Sequence, residues 1–306
     1  MTDFSISIQR AAISTRHDDP RLPDAAWYHI GMGRHSKESL VAQRLETQFQ
    51  KEVLAAAIKS LQQLDNPLRA NNFATGLREL SRILLEELAP DDEVQECEWF
   101  EPETNNGKPT RSQRVRFAVQ AGLMDDFVLN TLKVDVAKTM KKFTKLIERF
   151  SSLTHINPST FGMSNTGTMK FKNESLGVFL SLFQTIDECR ENIVDRLVSE
   201  ANDAITDELI SYSVDALEEI ATHYTVHGSQ IEELELTTLD STTLVFEAEG
   251  YVDCELQYGS DGDVERGDGI RHDSSYPLTC NLVADVTTPL TFEVKDLHVD
   301  NSSFYE

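Results

Sequence analysis

Arg149 and His155 lie six residues apart in the stretch ERFSSLTHINPST, residues 148–160. An arginine can hold a phosphate through two parallel hydrogen bonds. An imidazole can take or give a proton near neutral pH. RNA carries its own nucleophile, the 2′-hydroxyl, so such groups could hold and cleave its phosphodiester with no metal required. Spacing alone does not select it. The chain has 16 arginines and 8 histidines, and Arg10 with His17 and Arg266 with His272 have similar spacing. Only Arg149 and His155 stand at the end of a long basic helix. The competing reading there is a cation placed at a helix C-terminus for electrostatic reasons. Six residues do not share one face of a regular helix. Convergence therefore needs the helix to loosen near its end, which Ser151, Ser152 and Pro158 permit.

Other cations are spaced to meet a nucleic-acid backbone. Arg78 and Arg82 are four apart, on one helix face, and would line a phosphate-binding groove. The alternative is a solvated face with a Glu79–Arg82 pair. Arg111, Arg114, Arg116, Lys138, Lys141, Lys142 and Lys145 follow. Arg78, Arg82, Arg111, Arg114, Lys142 and Lys145 are the RNA-binding candidates. Helices over 111–121 and 134–150 with a short helix between them also suggest a helix-turn-helix that reads DNA. The alternative is a core hairpin with a polar back. GSDGDVERGDG (259–269) suggests a calcium loop but fails as an EF-hand. Arg266 stands where the glycine is required and His272 where the glutamate is. Acidic hairpin turns are the better reading, and no metal site is expected.

These residues need elements to hold them. Apolar spacing predicts helices over 37–63, 73–88, 111–121 and 134–155, with a short helix between the last two. The inward stripe of the last is Val136, Met140, Phe143, Ile147 and Phe150. An acidic loop with a short strand at 94–100 is expected before it, and a loop or hairpin over 158–173 after it. Residues 174–223 read as two or more helices, breaking near Asn202 or Thr206. From about 226 the pattern alternates as strands do. The expectation is an α+β chain: an irregular lead with a short strand (1–35), a helical domain (36–225) and a small antiparallel β domain (226–306).

Net charge is −24, unevenly spread. Residues 111–175 carry eleven basic and five acidic side chains; residues 176–306 carry five basic and twenty-nine acidic. Such acidity argues against general nucleic-acid binding, which rests on neutralising phosphates, but leaves room for a local basic patch. Four scattered cysteines with no CxxC pair argue against a zinc knuckle and for buried thiols. No apolar run suits a membrane span, and the start has no secretory pattern. The expected location is the cytoplasm.

Several stretches taken together resemble a known bacterial family. They are NPLRANNFATGLRELSRILLEELAP, TRSQRVRFAVQAGL, SSLTHINPSTFG, IDECRE, VDCELQYGSDGDVERGDG and YPLTCNLVADV. The family is the predicted nucleases associated with prokaryotic PIWI-type defence genes, and its helical part resembles HEPN domains. The likeness covers about residues 65 to 300. It implies metal-independent RNA cleavage in anti-phage or stress defence, by a homodimer that joins two Arg/His motifs in one cleft. On that likeness Arg149 binds phosphate and His155 is the acid–base group. One departure is Phe150, where HEPN nucleases commonly have a polar residue. A non-catalytic module that joins a defence complex is the alternative, with the acidic β domain as the surface for a protein partner.

Overall fold

The computed structural model describes residues 36–305. The strand and lead expected in residues 1–35 lie outside them. The described chain divides into two compact units between Cys189 and Arg190.

The first unit is helical. It comprises α1 (Lys37–Gln43), α2 (Gln48–Ser60), α3 (Arg69–Leu88), α4 (Asp91–Glu96), α5 (Arg111–Gln120), α6 (Val136–Thr154) and the first half of α7 (Asn165–Ser211). The single helix expected over 37–63 is two. The chain restarts at Thr47, whose hydroxyl accepts from the Gln50 N–H while the Gln50 side chain accepts from the Thr47 N–H. This reciprocal cap ends one helix and begins the next. Gly76 on α3 lets α2 come close, since a Cβ there would sit 2.7 Å from the Ala57 Cβ. The strand expected at 94–100 is replaced by α4. Pro90 precedes it, and Asp91, Asp92 and Glu93 fill its first turn, where carboxylates suit the positive end of a helix. A π-helical turn, Phe127–Thr131, stands between α5 and α6.

α6 and α7 form an antiparallel hairpin. Thr139 bonds Thr185 at 2.9 Å, the Phe143 and Phe179 rings are 5.4 Å apart, and the Phe150 and Phe171 rings 5.9 Å. Phe150 and Phe171 are fully buried, and Phe73 of α3 completes the cluster 5.5 Å from Phe171. α7 starts inside the stretch expected to be a loop and runs unbroken for 47 residues. The break expected near Asn202 or Thr206 does not occur. Their polar side chains serve a neighbouring strand instead: the Asn202 Oδ1 accepts from the Ile231 N–H, and the Thr206 Oγ1 from the Ser229 N–H.

The second unit holds the rest of α7, α8 (Asp215–Glu218), α9 (Asp261–Arg266) and an antiparallel sheet in the order β1 (His223–Leu239), β2 (Thr243–Tyr258), β3 (Ile270–Asp285), β4 (Glu293–Val299). One face is apolar: Phe246, Val252, Leu256 and Leu282 are fully buried. Gly250 permits β1 to approach, because a Cβ there would meet the Gln230 carbonyl oxygen at 2.1 Å. On the other face Glu233 stands opposite Glu249, Glu235 opposite Glu247, and Glu255 opposite Asp273. The register puts Cys254 opposite Ser274 and Cys280 opposite Ala248, so the two thiols are not neighbours. All four cysteines are buried, and none is in a disulfide among the described residues. Burial pushes Cys254 up to about 11 and Cys280 up to about 12. Within 259–269, α9 forms, and its Asp263 carboxylate is engaged by Ser260 and Arg266. No described helix is long and apolar enough to cross a membrane.

Candidate nucleic-acid interface

α6 has two unlike faces. Phe143, Ile147, Phe150 and Leu153 are buried, while Lys138, Lys141, Lys142, Lys145 and Arg149 are exposed. The steps 138, 142, 145, 149 alternate four and three, so these side chains follow one another along a single face. At 1.5 Å per residue the row is about 17 Å long. The four lysines of α6, Lys141 included, form no ion pair among the described residues.

Arg149 is already engaged. Its Nη1 donates to the Glu174 Oε2 at 2.7 Å, and its guanidinium carbon lies 4.5 Å from the centre of the Phe171 ring. The bond from Arg149 holds the Glu174 carboxyl below the usual carboxylate range. Phe150 and Arg149 thus use the same ring differently. Phe150 packs edge-on to Phe171 in the core, and Arg149 covers the ring where it nears solvent.

His155 is the residue that ends α6, with φ −91° and ψ 107°, and is exposed. The loosened last turn does not appear. The Ser152 hydroxyl donates to the Arg149 carbonyl at 2.8 Å and the Thr154 hydroxyl to the Ser151 carbonyl at 2.7 Å, which secures the helix to its end. Six residues turn a regular helix through about 240° and advance it about 9 Å. Arg149 and His155 therefore leave α6 from different faces.

The other cations divide. Arg82 bonds Glu79 at 3.0 Å and Glu86 at 2.7 Å, which raises its pKa. Arg78 is half-buried, and its Nε has no partner. Arg111 is exposed in the first turn of α5. Arg114 points inward: its side chain is 12 % exposed and donates to the Ala89 carbonyl and the Asp91 carboxylate. Arg116 stacks 4.0 Å over Trp99 and bonds Asp125 at 2.7 Å, and burial works against its charge. A helix that reads DNA needs such arginines outside, and α5 turns two of its three into protein. Lys142 and Lys145 are exposed on α6 and form no ion pair among the described residues. Sequence reading missed Phe171 and Glu174, which become partners of Arg149 only through the pairing of α6 with α7.

Residues 42–179 match one family model and residues 186–305 match a second, each described as a predicted pPIWI-associating nuclease. No curated protein and no solved structure matches the chain.

Proposed function

The chain belongs to the family of predicted pPIWI-associating nucleases, and from that premise we propose that it is a metal-independent endoribonuclease of a bacterial anti-phage or stress defence system, built on an HEPN-like helical domain. The observation that carries the reading is the exposed His155 at the end of the cationic row formed by Lys138, Lys142, Lys145 and Arg149.

Lys142 and Lys145 would hold the RNA backbone. One neutral imidazole takes the proton of the 2′-hydroxyl, and that oxygen attacks the adjacent phosphorus. The bond from phosphorus to the 5′-oxygen breaks, and that oxygen receives a proton from a second, protonated imidazole. The products carry a 2′,3′-cyclic phosphate and a 5′-hydroxyl. Arginine offsets the charge that gathers on phosphorus oxygens in between. Each chain contributes one His155, and its own Arg149 leaves α6 from another face. A homodimer that joins two α6 ends supplies both imidazoles and a guanidinium to one phosphate. RNA must then displace Glu174 from Arg149, and an exposed ion pair in water yields readily.

The test is cleavage of RNA in EDTA, with cyclic-phosphate ends identified on the product. His155→Ala is expected to abolish it while circular dichroism and melting stay unchanged. A purified dimer that leaves RNA intact, together with a His155→Ala variant that still protects cells, would end the enzyme reading.

The prior engagement of Arg149 by Glu174 and Phe171 favours a second reading, a non-catalytic module of a defence complex. In that case the acidic second unit binds a basic protein partner, and loss of His155 is tolerated.

A further inference from the structure

The turn between α6 and α7 presents two large apolar side chains to water: Ile156 is 59 % exposed and Phe161 52 %. His155 is exposed on the same turn. The turn is tightly tied. The Asn157 Oδ1 accepts from the Ser159 N–H at 3.0 Å, the Ser159 hydroxyl at 2.6 Å and the Thr160 N–H at 3.2 Å. The Thr160 hydroxyl donates to the His155 carbonyl at 3.1 Å, and the Phe161 N–H to the Asn157 carbonyl at 3.0 Å. Gly162, with φ 68°, closes the turn, and its N–H reaches the Pro67 carbonyl at 3.1 Å. These bonds tie Thr160 to the His155 backbone, so Phe161, the next residue, belongs to the same short, fixed turn as His155. A phenyl ring kept in water on a knotted turn is not explained by folding of this unit.

Charge and apolar surface meet here in order. The lysine row of α6 leads to Arg149, then to His155, Ile156 and Phe161, with Lys170 exposed on the first turns of α7. Cations that follow a backbone and an aromatic ring that receives a base are the two parts by which proteins hold unpaired nucleic acid. A duplex keeps its bases stacked inside and offers the ring nothing. Resting on the nuclease reading above, we infer that Phe161 is a base-stacking residue, that it holds an unpaired base beside His155, and that the chain acts on single-stranded rather than double-stranded RNA.

The test uses the full chain and a 2′-O-methyl RNA of about 12 unstructured nucleotides, within the length one such site covers. This probe cannot be cut by 2′-attack, so binding is read independently of cleavage. 2-Aminopurine is placed at each position in turn. Wild type is expected to alter the fluorescence of one position by stacking. Phe161→Ala is expected to abolish that signal and weaken binding about five-fold to a hundred-fold, and Phe161→Trp to restore both. The duplex form of the same RNA is expected to bind less tightly and to be indifferent to Phe161. Sedimentation is run on each variant. Equal binding by Phe161→Ala and wild type overturns the inference, as does equal binding of duplex and single strand. A switch of Phe161→Ala from dimer to monomer also overturns it, because the ring then belongs to a seam between copies. Wild type that stacks the base but never cuts unmodified RNA leaves the stacking role standing and removes the nuclease reading alone.

Discussion

Arg149 of α6 and Glu174 of α7 meet at 2.7 Å with both side chains nearly half exposed, and the guanidinium carbon lies 4.5 Å from the centre of the Phe171 ring, which holds it on a second side. The residue best suited to grip a phosphate is thus kept in place by a carboxylate that a phosphate can replace.

Glu174→Gln is expected to tighten RNA binding at neutral pH, because Arg149 then keeps its position over Phe171 and loses its resident anion. The depressed titration of Glu174 gives the sign of the pH effect. The ion pair is complete above the ordinary carboxylate range and is lost as pH falls through the folded-state value. Wild type and variant should therefore converge in affinity at low pH. Fluorescence anisotropy at two pH values checks this, and a variant that binds no better than wild type at neutral pH refutes it.

Replacing Lys142 and Lys145 together by Gln should weaken RNA binding uniformly across sequences. Each phosphate contact on a single strand contributes a slope of about −0.7 in log affinity against log salt, so the pair should flatten that slope by about 1.4. Arg114→Gln should leave the slope unchanged, since its side chain already serves Ala89 and Asp91. A salt titration separates the two cases.

Phe171→Ala should destabilise the helical unit by about 3–5 kcal/mol, the usual cost of deleting a buried aromatic ring. The ring is fully buried and touches Phe73 and Phe150 edge-on. Phe171→Leu should cost less, since it leaves a smaller void. Urea unfolding followed by helix content measures both. Similar midpoints for Phe171→Ala and wild type would remove this cluster as the centre of the core.

Asp91 joins α4 to α5 through Arg114 and to the loop preceding α5 through Lys108. Burial alone would raise its pKa, yet the two cations outweigh that and hold it below the usual value. A carboxylate depressed on folding stabilises above its unfolded pKa of about 3.9, and that contribution is lost as pH falls through the folded value. Asp91→Asn should therefore melt below wild type at pH near 7, with the gap closing below about pH 4. Melting curves across that range provide the check, and a gap that is constant with pH excludes the electrostatic cause.

The sequence made some elements plain and hid others for identifiable reasons. The stripe Val136, Phe143, Ile147, Phe150 defined α6 and left its lysines outside, and the alternation in residues 243–258 announced β2. Thr47 with Gln50 is a capping signature that could have divided α1 from α2, and the three carboxylates after Pro90 mark the start of α4. The unbroken α7 was less accessible. Asn202 and Thr206 weaken a helix in isolation, and only strand β1 gives their side chains something better to do. Nothing local reveals that Glu174 and Phe171 will reach Arg149, because both arrive from across the hairpin.

The carboxylates ranged across β1, β2 and β3 make one face of the second unit strongly anionic. Glu233 facing Glu249, and Glu235 facing Glu247, repel each other and repel any polyanion that drifts near. If the proposed function holds, a strand of RNA would find that sheet closed to it. The lysine row of α6 would then be the landing ground, and much of the discrimination would lie in the surface that RNA avoids.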